Sequence, residues 1–88
     1  MKGRITVQLR PAILDVEGKA IARALGSLGF GEPAVRVGRV FEVDLGADFG
    51  GDAEAARARL TEMAQKLLAN PVMETFTIDV PAGSGGAP

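Results

Sequence analysis

The chain is 88 residues long, sets 10 Lys plus Arg against 11 Asp plus Glu for a formal net charge of −1, and contains no Cys, His, Trp or Tyr. That excludes a cysteine nucleophile, a Cys/His zinc site, a disulfide framework and histidine acid–base chemistry. The length supports one small domain, and a charge near zero argues against a dedicated nucleic-acid binder.

Ile5, Val7 and Leu9 alternate with Arg4, Thr6, Gln8 and Arg10, the period of a strand with one buried face. Pro11 ends that strand, because proline cannot donate to a ladder. Asp15 is placed to cap a helix whose apolar stripe is Val16, Ala20, Ile21, Ala24, Leu25 and Leu28. Gly29 supplies the left-handed residue that closes it, and Phe30 stands where the cap reaches back toward Leu25.

Val35, Val37, Phe41, Val43 and Leu45 resume the alternation, interrupted at Gly38 and Arg39. This segment is either one strand bent at Gly38 or two strands meeting in a tight turn. Residues 46–51 form a Gly-rich loop, and Asp52 caps a second helix with a stripe of Ala56, Leu60, Met63, Ala64 and Leu67. Asn70 and Pro71 stop it, since Asn tolerates the left-handed conformation and proline cannot continue a helix. Phe76, Ile78 and Val80 alternate as a last strand. The domain therefore spans residues 1–80, and residues 81–88, rich in Gly, Ala and Pro, are expected to be a disordered tail.

Two amphipathic helices need a sheet face to cover. The fold class is thus α+β: a two-layer sandwich with an antiparallel sheet and two helices on one face, ferredoxin-like. The other sheet face should carry Arg4, Thr6, Gln8, Arg36, Val40, Glu42, Asp44, Thr75 and Thr77. Such a face can be solvated, or its Thr and Val can meet another protein. Residues 1–39 carry a net charge of +4 and residues 40–88 a net −5. The two halves either interleave within the domain or form complementary patches. A core of this size leaves little net stability, which favours self-association.

No motif carries recognisable catalysis. Gly18-Lys19 lies inside a helix rather than before one, unlike a phosphate loop. Gly50-Gly51 precedes a helix but reads as a plain loop. Glu42 and Asp44 share a strand face, and Asp48 and Asp52 are two carboxylates without a ligand pattern. No metal and no bound cofactor are expected. No signal-peptide pattern or membrane-spanning run is present, so a soluble cytoplasmic protein is expected, with no membrane or nucleic-acid partner.

Three stretches in order resemble the PurS subunit of phosphoribosylformylglycinamidine synthase. They are Leu14-Asp15-Val16-Glu17-Gly18-Lys19-Ala20-Ile21 running on to Leu28-Gly29-Phe30, then Val35-Arg36-Val37-Gly38-Arg39 with the strand to Leu45, then Lys66-Leu67-Leu68-Ala69-Asn70-Pro71-Val72-Met73-Glu74. The resemblance runs from Lys2 to Val80. It implies a small non-catalytic subunit of a glutamine-dependent ligase in purine biosynthesis. Such a subunit would hold a PurL-type synthetase, which uses ATP and Mg, to a PurQ-type glutaminase, so that ammonia passes between them. The resemblance also implies a homodimer, or two dimers paired as a tetramer; the sheet edge or open sheet face is the expected dimer surface, which leaves helix surfaces and loops for the larger partners. Arg36, Arg39, Asn70 and Pro71 are the candidate partner contacts. The competing expectation is a dimeric ferredoxin-like module that senses a small molecule.

Overall fold

A computed structural model describes residues 1–47 and 49–80; Asp48 and the expected tail, residues 81–88, lie outside the described residues. The elements in order are β1 (Lys2–Leu9), α1 (Val16–Ser27), β2 (Gly38–Asp44), α2 (Ala53–Met63) and β3 (Glu74–Asp79). The sheet is antiparallel throughout, in the order β2-β1-β3. β2 and β3 therefore run parallel on either side of β1, and α2 is the crossover between them. The α+β class with an antiparallel sheet and two helices stands. The interrupted segment resolves as a single strand that starts at Gly38, with Val35 and Val37 outside it.

Register follows from the alternation. Ile5 lies opposite Phe41 and Ile78, and Val7 opposite Arg39 and Phe76, on the face that α2 covers. Ile5, Val7, Ala56, Leu60, Ala64, Ala69 and Val80 form the buried core. Gly3 belongs to that face as well. The Leu60 side chain fills the space that a Cβ on Gly3 would need, so the strand glycine marks a close approach of α2.

The opposite face is polar and orders the charges. Lys2 lies opposite Asp44, and Arg4 lies between Glu42 and Asp79. Opposed charges across neighbouring strands favour this register over a slipped one. The basic first half and acidic second half thus interleave within the sheet. The residues expected on this face are there except Arg36, which precedes β2.

Two expectations about the helices change. After Met63 the second helix widens into a π turn over Ala64–Leu68, where the Ala69 N–H donates to the Ala64 carbonyl at 2.9 Å. That turn takes up an extra residue. Leu68 and Ala69 come inward, and Leu67, expected in the buried stripe, is 83% exposed. The stripe of α1 is also uncovered: Val16 is 71% and Leu28 72% exposed, and only Leu25 is half-buried. The cause is topological. α1 lies on a long excursion between adjacent antiparallel strands and projects away from the sheet, whereas α2 packs on β1 and β3.

The chain is accordingly long and thin, 49 × 31 × 14 Å, with a radius of gyration of 16.4 Å. A compact chain of this length would have a radius of gyration of about 12 Å. One helix, ~10 Å across, covers about two strands at ~4.8 Å spacing and leaves the third open. Phe41 and Val43 of β2 are half-buried.

Leu60 is fully buried, so Leu60→Ala is expected to cost about 2–5 kcal/mol in chemical denaturation. The solvent-side change Thr77→Ala is expected to stay within about 0.5 kcal/mol of the parent.

Candidate functional site

Where α1 leaves the sheet, a knot of polar contacts sets its direction. Asp15 caps the helix as expected, with Oδ1 accepting from the Gly18 N–H at 2.8 Å. Its other oxygen accepts from the Val37 N–H at 2.6 Å, just before β2 begins. One buried carboxylate therefore ties both ends of the excursion together. The two backbone N–H groups, from Val37 and then Gly18, hold its pKa below the ordinary 3.8, and the Arg36 guanidinium adds to the shift.

Arg36 closes the knot from the other side. Its guanidinium donates to the Ile13 carbonyl and the Arg10 carbonyl, both at 3.0 Å. The Arg10 side chain in turn donates to the Pro71 carbonyl at 2.7 Å and the Val72 carbonyl at 3.2 Å. Glu74 accepts from the Asn70 N–H at 2.7 Å and pairs with Arg39 at 3.4 Å. The four residues singled out from the sequence thus converge on one end of the sheet, joined through Arg10 and Glu74. Neither of those two stood out in the sequence; the only sign was Arg10 at the strand end, directly before Pro11.

Asn70 and Arg36 are also held by contacts within the chain. Asn70 does not adopt the left-handed conformation, since no described non-glycine residue has positive φ. Instead its side-chain oxygen accepts from the Val72 N–H at 3.0 Å and turns the corner toward β3. The Arg36 guanidinium is engaged by carbonyls rather than pointing freely outward. Arg39 lies over the Phe41 ring at 5.5 Å.

Gly18 of the Gly18-Lys19 pair has a packing role. A Cβ there would run into the Val35 carbonyl oxygen, so the glycine lets the returning chain lie against α1. The helix closes as the sequence indicated: Phe30 N–H donates to the Leu25 carbonyl and Gly29 N–H to the Gly26 carbonyl, both at 3.0 Å, with Gly29 at φ 94°.

The other candidate carboxylates act locally. Asp44 accepts from the Gly46 N–H and Asp52 caps α2 through the Ala55 N–H. Glu42 is exposed beside Arg4. Among the described residues, no three Asp, Glu, His or Cys groups cluster as a metal site, and no helix is long and apolar enough to cross a membrane. A hollow of ≈ 590 Å³ between α1 and the returning chain sets Lys19 and Arg23 against Asp15 and Glu32, so it presents no field of one sign.

What remains is apolar and open. The Val16–Ala20–Ala24–Leu28 ridge of α1 and the nearby Phe30 are exposed. On the covered side of the sheet, a groove of ≈ 540 Å³ runs between β2 and the end of the second helix. It is lined by Val43, Met63, Leu67 and Leu68 and rimmed by Arg59, Glu62 and Lys66. Val72 and Met73 add exposed apolar surface at the corner.

These features define a small α+β association module whose distinctive chemistry is on surfaces that need a neighbour. Residues 2–82 match the family profile described as PurS, phosphoribosylformylglycinamidine (FGAM) synthase. The phosphoribosylformylglycinamidine synthase subunit PurS of a Synechocystis species is 39% identical over 83 residues, covering 93% of this chain and 80% of that protein. The Mycobacterium leprae subunit of the same name is 45% identical over 75 residues, covering 84% and 87%. The crystal structure of Methanocaldococcus jannaschii PurS superposes with a TM-score of 0.80 at 31% identity, covering 91% of this chain and 94% of that one. The chain belongs to the PurS family.

Two substitutions test the knot. Gly→Ala in an exposed helix normally stabilises by up to about 1 kcal/mol, yet Gly18→Ala is expected to lower the melting temperature because the added Cβ would overlap the Val35 carbonyl, a backbone group. For Asp15 the folded-state pKa is depressed. Its contribution is therefore complete above the ordinary carboxylate pKa and is lost as pH falls through the lowered value. Asp15→Asn should melt below the parent at pH 7, and the gap should close as the pH is taken below about 4.

Proposed function

We propose that this chain is a non-catalytic subunit of phosphoribosylformylglycinamidine synthase in purine biosynthesis, working as a self-associated connector between a synthetase and a glutaminase. Membership of the PurS family carries the reading. M. jannaschii PurS is described as one of the subunits of formylglycinamide ribonucleotide amidotransferase in the purine biosynthetic pathway. The chemistry belongs to the partners: ATP and Mg at a PurL-type synthetase, and a thiol nucleophile at a PurQ-type glutaminase. This chain contains neither Cys nor His. A cytoplasmic setting follows from that pathway.

The physical task is to keep two active sites adjacent. Ammonia in water is mostly protonated at neutral pH, and only the free base is nucleophilic. Holding source and consumer together raises the effective concentration without new contacts at the reacting atoms. A subunit with this task needs shaped surfaces. The end of the sheet where Arg36, Arg39, Asn70 and Pro71 meet is proposed as the contact for the larger partners, with Val72 and Met73 supplying its apolar part. The internal hydrogen bonds of Arg10, Arg36 and Glu74 hold that corner rigid, which lowers the ordering cost of docking.

Tagged protein recovered from extract of its own cells should bring down a synthetase and a glutaminase. Val72→Asp is expected to lose that recovery with little change in melting temperature, because Val72 is 78% exposed. In the reconstituted system, leaving this chain out should sharply reduce glutamine-driven synthesis and affect ammonium-driven synthesis less. Full rates with both nitrogen sources would overturn the connector role.

A further inference from the structure

We propose that the hollow between α1 and residues 32–36 is a binding site for an amino-dicarboxylic acid of the L-glutamate type, held by Lys19, Arg23 and Glu32. The hollow has a volume of ≈ 590 Å³, inside the range of roughly 300–1,000 Å³ that small-molecule sites occupy. Two glycines shape it. A Cβ on Gly18 would overlap the Val35 carbonyl, and one on Gly26 would crowd the Glu32 side chain and the Gly31 carbonyl. With Ala22 between them, these glycines let the returning chain run close along one face of α1. Pro33, Ala34 and Val35 form the opposite wall.

Of the charged groups around the hollow, Asp15 and Arg36 are already spent. Asp15 accepts from the Gly18 and Val37 N–H groups, and the Arg36 guanidinium donates to the Ile13 and Arg10 carbonyls. The Lys19, Arg23 and Glu32 side chains have no hydrogen bond or ion pair among the described residues. Two cations and one anion are thus left facing one cavity, and the ligand that matches them carries two anions and one cation. Lys19 and Arg23 are one helical turn apart, about 5–6 Å between Cβ atoms, a gap that two carboxylates on a short carbon chain span. Arg23 can grip one carboxylate through parallel N–H groups, while Lys19 meets the other as a point charge. The ligand's ammonium goes to Glu32. A phosphate or a plain dicarboxylate would answer the cations but be repelled by Glu32, and a metal cation would meet the reverse. Glutamate is also what a glutaminase leaves once ammonia has been taken from glutamine. On the connector reading, on which this meaning alone rests, the site senses the partner's product, because a bound acid ties α1 to the returning chain.

The test is calorimetric titration of the full chain with L-glutamate, L-glutamine, glutarate and inorganic phosphate at one fixed ionic strength. Arg23→Ala and Glu32→Gln chains are titrated alongside, with circular dichroism to verify folding. Both residues are exposed, so folding should survive. The expected result is saturable binding of L-glutamate in the millimolar range or tighter, and about 10-fold or more weaker binding of the other three. Arg23→Ala should weaken L-glutamate by a similar factor. Glu32→Gln should erase the preference for L-glutamate over glutarate, which lacks the ammonium. An equally exposed arginine elsewhere, changed as Arg59→Ala, should leave the affinity as it was. No saturable binding of L-glutamate, equal binding of all four probes, binding of phosphate alone, or binding untouched by both site variants would each overturn the proposal. Recovery of a synthetase and a glutaminase on the tagged chain is read separately, so such a failure leaves the connector reading standing.

Discussion

The arrangement of the whole molecule depends on the Asp15 carboxylate and its two backbone donors, one at the start of α1 and one at the entry to β2. A helix cap usually satisfies its own helix alone. Here the second oxygen is spent on a residue twenty-two positions along the chain, and this makes a local cap into a long-range brace. Arg36 answers it with two carbonyl contacts. Because both groups are charged and their partners are backbone, these bonds are stronger than neutral ones and insensitive to side-chain variation at the partners. The helix is aimed by polar geometry, while α2 is held by burial of Ala56, Leu60 and Ala64.

That division has a functional meaning. A chain that buried both helices on its own sheet would be a closed domain with a polar exterior. Leaving one helix out keeps apolar surface available for a neighbour, and the thin slab offers area out of proportion to its mass. The same end of the sheet holds the Asn70–Pro71 corner, which Arg10 clamps through two carbonyls. An assembly protein gains from such stiffness, since every mobile surface loop would have to be ordered on docking.

Much of this was legible in the sequence. Alternation in residues 4–10 and 74–80 located the strands and the faces, and Asp15, Gly29 and Asp52 marked helix ends because capping is local chemistry. The helical stripe of α1 was also legible as an apolar face, but periodicity reports that a face is apolar and not which chain covers it. Leu67 was misplaced because a π turn leaves no mark in a short apolar run: Leu67 and Leu68 are interchangeable to any pattern until the backbone bond from Ala69 to Ala64 is known. The hub residues Arg10 and Glu74 were missed for another reason. Their partners are main-chain groups or residues far along the chain, and backbone carbonyls have no letter in a sequence.

The excursion of residues 10–37 between two paired strands has a further consequence. The entropy of closing such a loop grows only with the logarithm of its length, about 0.6 kcal/mol for each doubling. The sheet is therefore nearly indifferent to what the excursion contains, provided its two ends are pinned. Lineages are free to lengthen, shorten or restyle this arm without unfolding the platform that bears it, so that partner choice and foldability can evolve on separate schedules.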